Sequence, residues 1–305
     1  MAIPFTTKSS TMLENLSQPQ RDRLAFIDLR LRMLGELKRQ HLIERFDIQE
    51  AAASRDIALY KTLSKHNLVY DASSRLYKAS ESFKSLFDPT AEHALIWITK
   101  GLGDGEPRDT TPGITVDFPD QLTWPKLDIL GHVTQAIHQK CPLQIDYESL
   151  NGSSQRVIVP FSLVDNGLRW HVRGFDRKSG EFRDFVITRI RKASPLLDDA
   201  VAVHETSDQD IQWTRIVELT LIPHPDQPRP EVTLMDYAMV DGMLSLKLRA
   251  ATAGYTLRKW SVDCSPDHSL RGPEYRLWLS DPLALYGVKN AILAPGYVAP
   301  DAREF

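Results

Sequence analysis

The chain has 305 residues, a net charge of −3, 42% hydrophobic residues and two cysteines. That apolar content supports packed cores and excludes a disordered chain, and the length implies two or three domains. No run of 18 apolar residues marks a membrane span, and the opening MAIPFTTKSS lacks the basic-then-apolar order of a secretory signal. Cys141 and Cys264 stand far apart, so no metal site, cofactor or disulfide framework is expected and a reducing cytoplasm fits.

Charge is unevenly spread. Residues 1–85 carry 14 Lys/Arg against 10 Asp/Glu, a net +4, and residues 131–195 carry 10 against 6, again +4. The segments 86–130 and 196–305 are acidic by 5 and 6 charges. A basic block can meet phosphate, although ordinary solvated surface gives the same count.

Residues 1–18 read as a lead-in. A helix is expected over 21–40, where Leu24, Ile27, Leu31, Leu34 and Leu37 recur at three- and four-residue spacing. A short second helix over 42–46 follows, then a turn at Asp47-Ile48 and a third helix over 49–64. The third helix is expected to bury Ala53, Ile57, Tyr60 and Leu63, with Ile48 beneath its start. Extended runs at 68–70 and 76–78 flank the polar turn 71–74, which reads as a β-hairpin.

Three short helices and a hairpin make a winged helix-turn-helix, whose third helix fits the major groove. Its outward residues suit that work. Gln49 can pair with adenine, Ser54 and Arg55 can reach phosphate or guanine, and Ala52 allows close approach. Arg75 and Lys78 in the hairpin can touch a neighbouring phosphate. Asp56 is expected to orient an arginine or cap a turn, because a bare carboxylate beside phosphate is unfavourable. The alternative is a three-helix scaffold that binds protein only.

Residues 88–125, rich in Gly, Pro, Asp and Thr, read as a connector in which 94–98 can form an ordered patch. A helix is expected over 126–139. From 143 to 190 the period becomes two, with turns at 151–152, 166–167 and 178–180, a small bent β domain. Alternation there puts Leu168, Trp170 and Val172 on one face and Arg169, His171 and Arg173 on the other. With Tyr147, Arg156, Arg183 and Arg189 nearby, the second face reads as an anion site, because guanidinium forks bind phosphate oxygens bidentately and rings stack bases. The competing reading pairs these arginines with Asp146, Asp176, Glu181 and Asp184 at the surface. Further on, strands are expected over 216–222 and 244–248, a helix near Met235 and another over 282–294.

Catalytic constellations are absent: there is no phosphate-binding Gly-rich loop and no H-E-x-x-H, so an enzyme is not expected. His224, between two prolines, reads as structural. Asp198, Asp199, Asp208 and Asp210 read as solvated rather than metal-binding.

The stretch from Gly167 to Asp176, flanked by Ile145-Asp146-Tyr147, the run 156–160, Glu181-Phe182-Arg183-Asp184-Phe185 and Thr188-Arg189-Ile190, resembles the signature of WYL-domain regulators. His171 and Val172 replace the central Tyr and Leu of that signature. The runs 46–49 and 53–60 resemble the winged helix of the same family. More narrowly the chain is similar to the BrxR/CapW regulators of bacterial anti-phage defence operons, a likeness extended by 222–225, Tyr237 and 257–263. The resemblance implies an α+β multidomain fold: a winged helix-turn-helix over 1–87, a connector over 88–125, a WYL domain over 126–200 built as an Sm-like β-barrel, and a C-terminal α+β dimerisation extension over 205–305. It implies a homodimeric repressor on a double-stranded, inverted-repeat operator, with a nucleotide or oligonucleotide effector at the WYL domain. A ligand-dependent activator, or an accessory protein whose winged helix binds protein, shares the same outline.

Overall fold

The computed structural model describes residue 13, residues 16–100 and residues 122–299. Most of the lead-in and residues 101–121 of the connector lie outside the described residues. The chain divides into two compact units: residues 1–157 with 187–199, and residues 158–186 with 200–305.

In the first unit, helix α1 (Gln18–Leu34) starts with a proline in its first turn and stops at Gly35. Gly35 has φ 76°, the left-handed conformation that glycine adopts without a Cβ penalty, and its N–H caps the carbonyl of Leu31. The expected continuation to residue 40 is therefore cut short. Glu36–Leu37 instead forms strand β1, and Arg39 opens helix α2 (Arg39–Phe46) rather than closing α1. Asp47 turns the chain at φ 49° into helix α3 (Glu50–Leu63). The hairpin is β2 (Leu68–Asp71) and β3 (Leu76–Ala79), and β1 adds a third strand in the order β1-β3-β2. Expected connector residues 94–98 fall within helix α4 (Ala91–Lys100).

Helix α1 is buried on nearly every side, through Leu24, Phe26, Ile27, Leu31 and Met33 among others. The stripe expected on α3 holds for Ala53, Ile57 and Tyr60, which are buried, while Leu63 is half-buried. Helix α5 (Leu127–Gln139) packs on α1, where Thr134 Oγ1 donates to the Met33 carbonyl at 2.7 Å and Gln135 to the Arg32 carbonyl at 2.6 Å. Strand β4 (Leu143–Ser149) pairs antiparallel with β8 (Ile190–Pro195) and buries alternate residues Leu143, Ile145 and Tyr147.

One polar hub sits inside this unit. Asp28 is buried and accepts from Tyr60 Oη, Ser85 Oγ and the backbone N–H groups of Leu86 and Phe87. Burial pushes its carboxyl above the usual range, and the hydrogen bonds oppose that.

Strand β5 (Gly152–Asp165) pairs with β6 (Trp170–Asp176), with a register shift between Pro160 and Ser162 that bends it, and β6 pairs with β7 (Glu181–Val186). The five-stranded order is β7-β6-β5-β4-β8, and among the described residues no ladder joins β7 to β8, so no closed barrel is found. Leu168 belongs to the turn before β6, not to the strand, because Asn166 Oδ1 accepts from the N–H groups of Leu168 and Arg169.

The rest of the second unit is an α+β layer pair. After the short helix α6 (Ile211–Thr214) come β9 (Ile216–Pro223), α7 (Pro230–Asp236), β10 (Leu244–Arg249), α8 (Ala250–Lys259), β11 (Val262–Asp263) and β12 (Leu277–Leu279). The sheet order is β10-β9-β12-β11. Val217, Leu219 and Leu221 of β9 pack with Ala250, Ala253 and Leu257 of α8 in one core cluster. A side chain at Gly254 would meet the Asn290 carbonyl at 2.0 Å, so glycine permits the close approach in which Asn290 bonds Gly254 N and Ala251 O. The expected helix over 282–294 is two short 3-10 turns, Pro282–Leu285 and Ala291–Leu293, with Gly287 at φ 73° between them. Among the described residues no helix is long and apolar enough to cross a membrane.

Candidate nucleic-acid interface and the Arg173 cavity

Helix α3 is held from behind by charge as well as by apolar contact. Asp56 is buried and pairs with Arg23 of α1 at 2.6 Å, the two side chains being 3% and 18% exposed. The expected role of Asp56, orienting an arginine, is what the geometry shows. With Tyr60 bonded to Asp28, the inner face of α3 is fixed at two points.

The outer face begins with Gln49, the extended N-cap residue, whose side chain makes no cap hydrogen bond. Gln49 and Arg55 are exposed, and Ala52 is half-buried. Ser54 is half-buried and engaged locally: its Oγ donates to the Glu50 carbonyl and accepts from Arg39 Nη1 at 2.9 Å. Arg39 also pairs with Glu50 at 3.0 Å, so the one acid in the first turn of α3 is covered by a cation. Arg39 joins this surface because Gly35 ends α1 early, a stop signal that stands in the Leu34-Gly35 step and is masked by the leucine repeat.

In the hairpin, Asp71 Oδ1 accepts from Ser73 N, Ser73 Oγ and Ser74 N, a side-chain turn that closes the loop. Those bonds, Ser73 foremost, with Lys78, hold its carboxyl well below the usual range. Lys78 is paired with Asp71 at 2.9 Å, while Arg75 is exposed with φ 55° at the tip. Gln49, Arg55 and Arg75 are thus the presented residues, and Ser54 and Lys78 already have partners.

The six residues expected at an anion site divide between the units. In the first, Tyr147 is a buried residue of β4, Arg156 is half-buried with its Nε donating to Ser154 Oγ at 3.0 Å, and Arg189 is half-buried in the 3-10 turn Ile187–Arg189. In the second, Arg173 is 6% exposed and gripped by two carboxylates, Asp210 at 2.7 Å and Asp184 at 2.8 Å. Burial lowers its pKa, but the bond to Asp210 and the charge of Asp184 more than reverse this, so the guanidinium is held charged. Asp210, expected to be solvated, is 2% exposed because it also caps α6 through Gln212 N and Trp213 N.

Tyr255 of α8 donates to Asp184 at 3.0 Å and stacks on His171 at 5.5 Å between ring centres. His171 is buried, which pushes its pKa down and keeps it neutral. Both faces of β6 are therefore covered, and the ion pair of Arg173 is internal rather than on the surface. Arg183 is different: it is 48% exposed and pairs with an equally exposed Glu181 at 2.9 Å. It lines an open cavity of about 360 Å³ together with Arg173, Asp184, Tyr255, Lys289 and Asn290.

Three family models match the chain in succession: the BrxR transcriptional regulator winged helix-turn-helix domain over residues 19–100, the WYL domain over 128–195, and the BrxR transcriptional regulator C-terminal dimerization domain over 216–285. A DNA-binding transcriptional repressor CapW of Pseudomonas aeruginosa is 32% identical over 272 residues, covering 84% of this chain and 86% of the relative. Another from Escherichia coli (strain KTE188) is 31% identical with the same coverage, and one from Stenotrophomonas maltophilia is 31% identical over 80% of this chain and 84% of its own. Among solved structures, the Proteasome accessory factor B/C of Arthrobacter aurescens is 18% identical with a TM-score of 0.25; the match covers 90% of this chain, which spans 46% of that one. With three domain models in order and about 31% identity along most of its length, the chain belongs to the BrxR/CapW family of WYL-domain regulators.

Proposed function

We propose that this chain is a DNA-binding transcriptional repressor that acts as a homodimer on an inverted-repeat operator, controls an anti-phage defence operon and is released by an anionic effector. The observation that carries the repressor reading is the likeness to CapW repressors over 84% of the chain. The exposed Gln49 and Arg55 at the start of α3 supply base-reading groups, and Arg75 at the tip of the wing supplies a phosphate contact. Two copies related by a two-fold axis read a palindrome, which the match to a dimerization domain supports. Function divides as 1–87 for DNA, 126–200 for sensing and 205–305 for assembly.

For the effector, Arg183 and Lys289 at the 360 Å³ cavity are the better anion ligands, and Arg173 and His171 form the buried frame behind them. An effector shifts the dimer only through its difference in affinity for the two states, so relief requires preference for the state that fits DNA poorly. The test is a gel shift on the DNA upstream of the chain's own gene, with a reporter in the deletion strain. Arg55→Ala is expected to weaken specific binding by about 10- to 100-fold, the value of one good bidentate base contact. Unchanged affinity in a folded Arg55→Ala protein overturns the interface; loss of reporter expression on deletion identifies an activator instead.

A further inference from the structure

A second cavity, of about 410 Å³, lies in the segment matched by the dimerization model, between the end of β9 and the loop before β12. It contains no residue of the WYL segment, so nothing said here rests on the sensor reading. Its floor is built. His224 and Asp263 are both buried and lie 3.2 Å apart. His224 Nδ1 accepts from Asp226 N, so Nε2 carries the proton and donates to Asp263, whose oxygens also accept from Ser265 N and Leu270 N. This carboxylate ties the loop that bears Arg271 to the strand that bears His224.

Three arginines, Arg229, Arg271 and Arg276, line the cavity with one acid, Asp226. Each guanidinium is only partly used. Among the described residues Arg271 works through Nη1, on Asp226 at 2.7 Å and on the His268 and Leu270 carbonyls. Arg229 uses Nε on Glu231, and Arg276 uses Nη2 on Thr233, with Asp236 a loose 3.8 Å away. Arg276 Nε is buried and has no hydrogen-bond partner among the described residues, and buried polar groups of native proteins are nearly always satisfied. Tyr275 and the stiff residues Pro228 and Pro273 complete the wall as flat, mostly apolar surface.

The volume lies within the range of small-molecule sites, and three guanidinium groups whose carboxylate partners occupy only part of each fork, set over a mostly apolar wall, suit an anion carried on a flat ring. Guanidinium forks favour phosphate over a lone carboxylate or halide because its oxygens accept several N–H groups at once. We infer that this cavity is a binding site for a small phosphate-bearing ligand of mononucleotide size, with the phosphates on Arg271 and Arg276 and the ring against Tyr275. The phosphate arrives either on a free nucleotide or on the 5′ end of a short strand.

The full-length protein is titrated by calorimetry at low salt with ADP, pyrophosphate and a 5′-phosphorylated dinucleotide. Wild type is expected to bind, and pyrophosphate in excess is expected to displace the bound organic ligand. Arg271→Gln and Arg276→Gln should each weaken binding by about tenfold, the loss of one charge-assisted contact, and Arg276→Lys should fall between. Lys247→Gln, exposed on β10 and lining neither cavity, should leave it unchanged. Binding of ADP alone or of the dinucleotide alone supports the site and identifies the source. Absence of heat with all three probes at millimolar concentration overturns it, as does binding removed by Arg183→Gln, at the other cavity, but not by Arg271→Gln or Arg276→Gln. If either variant fails to fold, failure of pyrophosphate to compete in wild type overturns it equally.

Discussion

Arg173 and Arg183 lie ten residues apart, both paired at under 3 Å, yet they should behave as opposites. The Arg183–Glu181 pair is about half exposed on both sides. Such pairs contribute about 0–1 kcal/mol, so Arg183→Ala should be near neutral for stability. Arg173, at 6% exposed, holds Asp210 at 2% and Asp184 at 12%. Its removal strands the buried Asp210 and the half-buried Asp184, and about 3–5 kcal/mol is typical of breaking a buried pair. Asp210 keeps Gln212 N and Trp213 N, and Asp184 keeps Tyr255, so the low end of that range applies. A loss of about 3 kcal/mol is on the order of 100-fold in the unfolding equilibrium. With a urea slope of about 3 kcal/mol/M, the midpoint falls by about 1 M. Urea unfolding followed by tryptophan fluorescence reads this directly. Equal midpoint shifts for Arg173→Ala and Arg183→Ala would refute the reasoning, because the buried, doubly paired arginine and the exposed, singly paired one would then count alike.

Asp56→Ala removes the partner of the mostly buried Arg23 and should cost about 2–3 kcal/mol while weakening DNA binding through displacement of α3; a melting temperature equal to wild type would remove the anchor from the account. His41 supplies the pH dependence. Burial, with Arg30 and Lys38 beside it and Glu44 and Glu36 opposing, pushes it down to about 4, and its Nδ1 accepts from Lys38 N. A depressed histidine binds its proton first in the unfolded chain, so the stability is complete above about 6.5 and is lost as pH falls toward 4. Discounted for partial exposure, about 1–2 kcal/mol should disappear between pH 7.5 and 4.5, and His41→Gln should flatten that slope; an unchanged slope contradicts the assignment.

The helices and strands with strong periodicity were legible because a single buried face wrote the pattern: α3, α5 and β4 follow it closely. Failures came where one residue outweighed a pattern. Gly35 stops α1 in the middle of a leucine repeat, and Gly287 divides what reads as a final helix. Helix α8 was unread because its buried side is Ala250, Ala253, Gly254 and Leu257, too small to register as a hydrophobic stripe. The arginine cluster was legible as chemistry but not as geometry. Sequence spacing put Arg173 on an exposed face; the two acids that cover it are 11 and 37 residues away, and only the fold brings them there.

Asp28 has a consequence for how the N-terminal unit is completed. Its donors come from residue 60 and from residues 85–87, on either side of the hairpin. A chain emerging from the ribosome can form all three helices of the motif with this carboxylate only partly answered. The remaining three donors arrive after the wing, so the last peptide groups synthesised close a knot of bonds begun by the first helix. Any fragment ending before Phe87 keeps the outline of the DNA reader and leaves its buried carboxyl short of partners, which makes residues 85–87 the closing latch of the domain rather than the start of a linker.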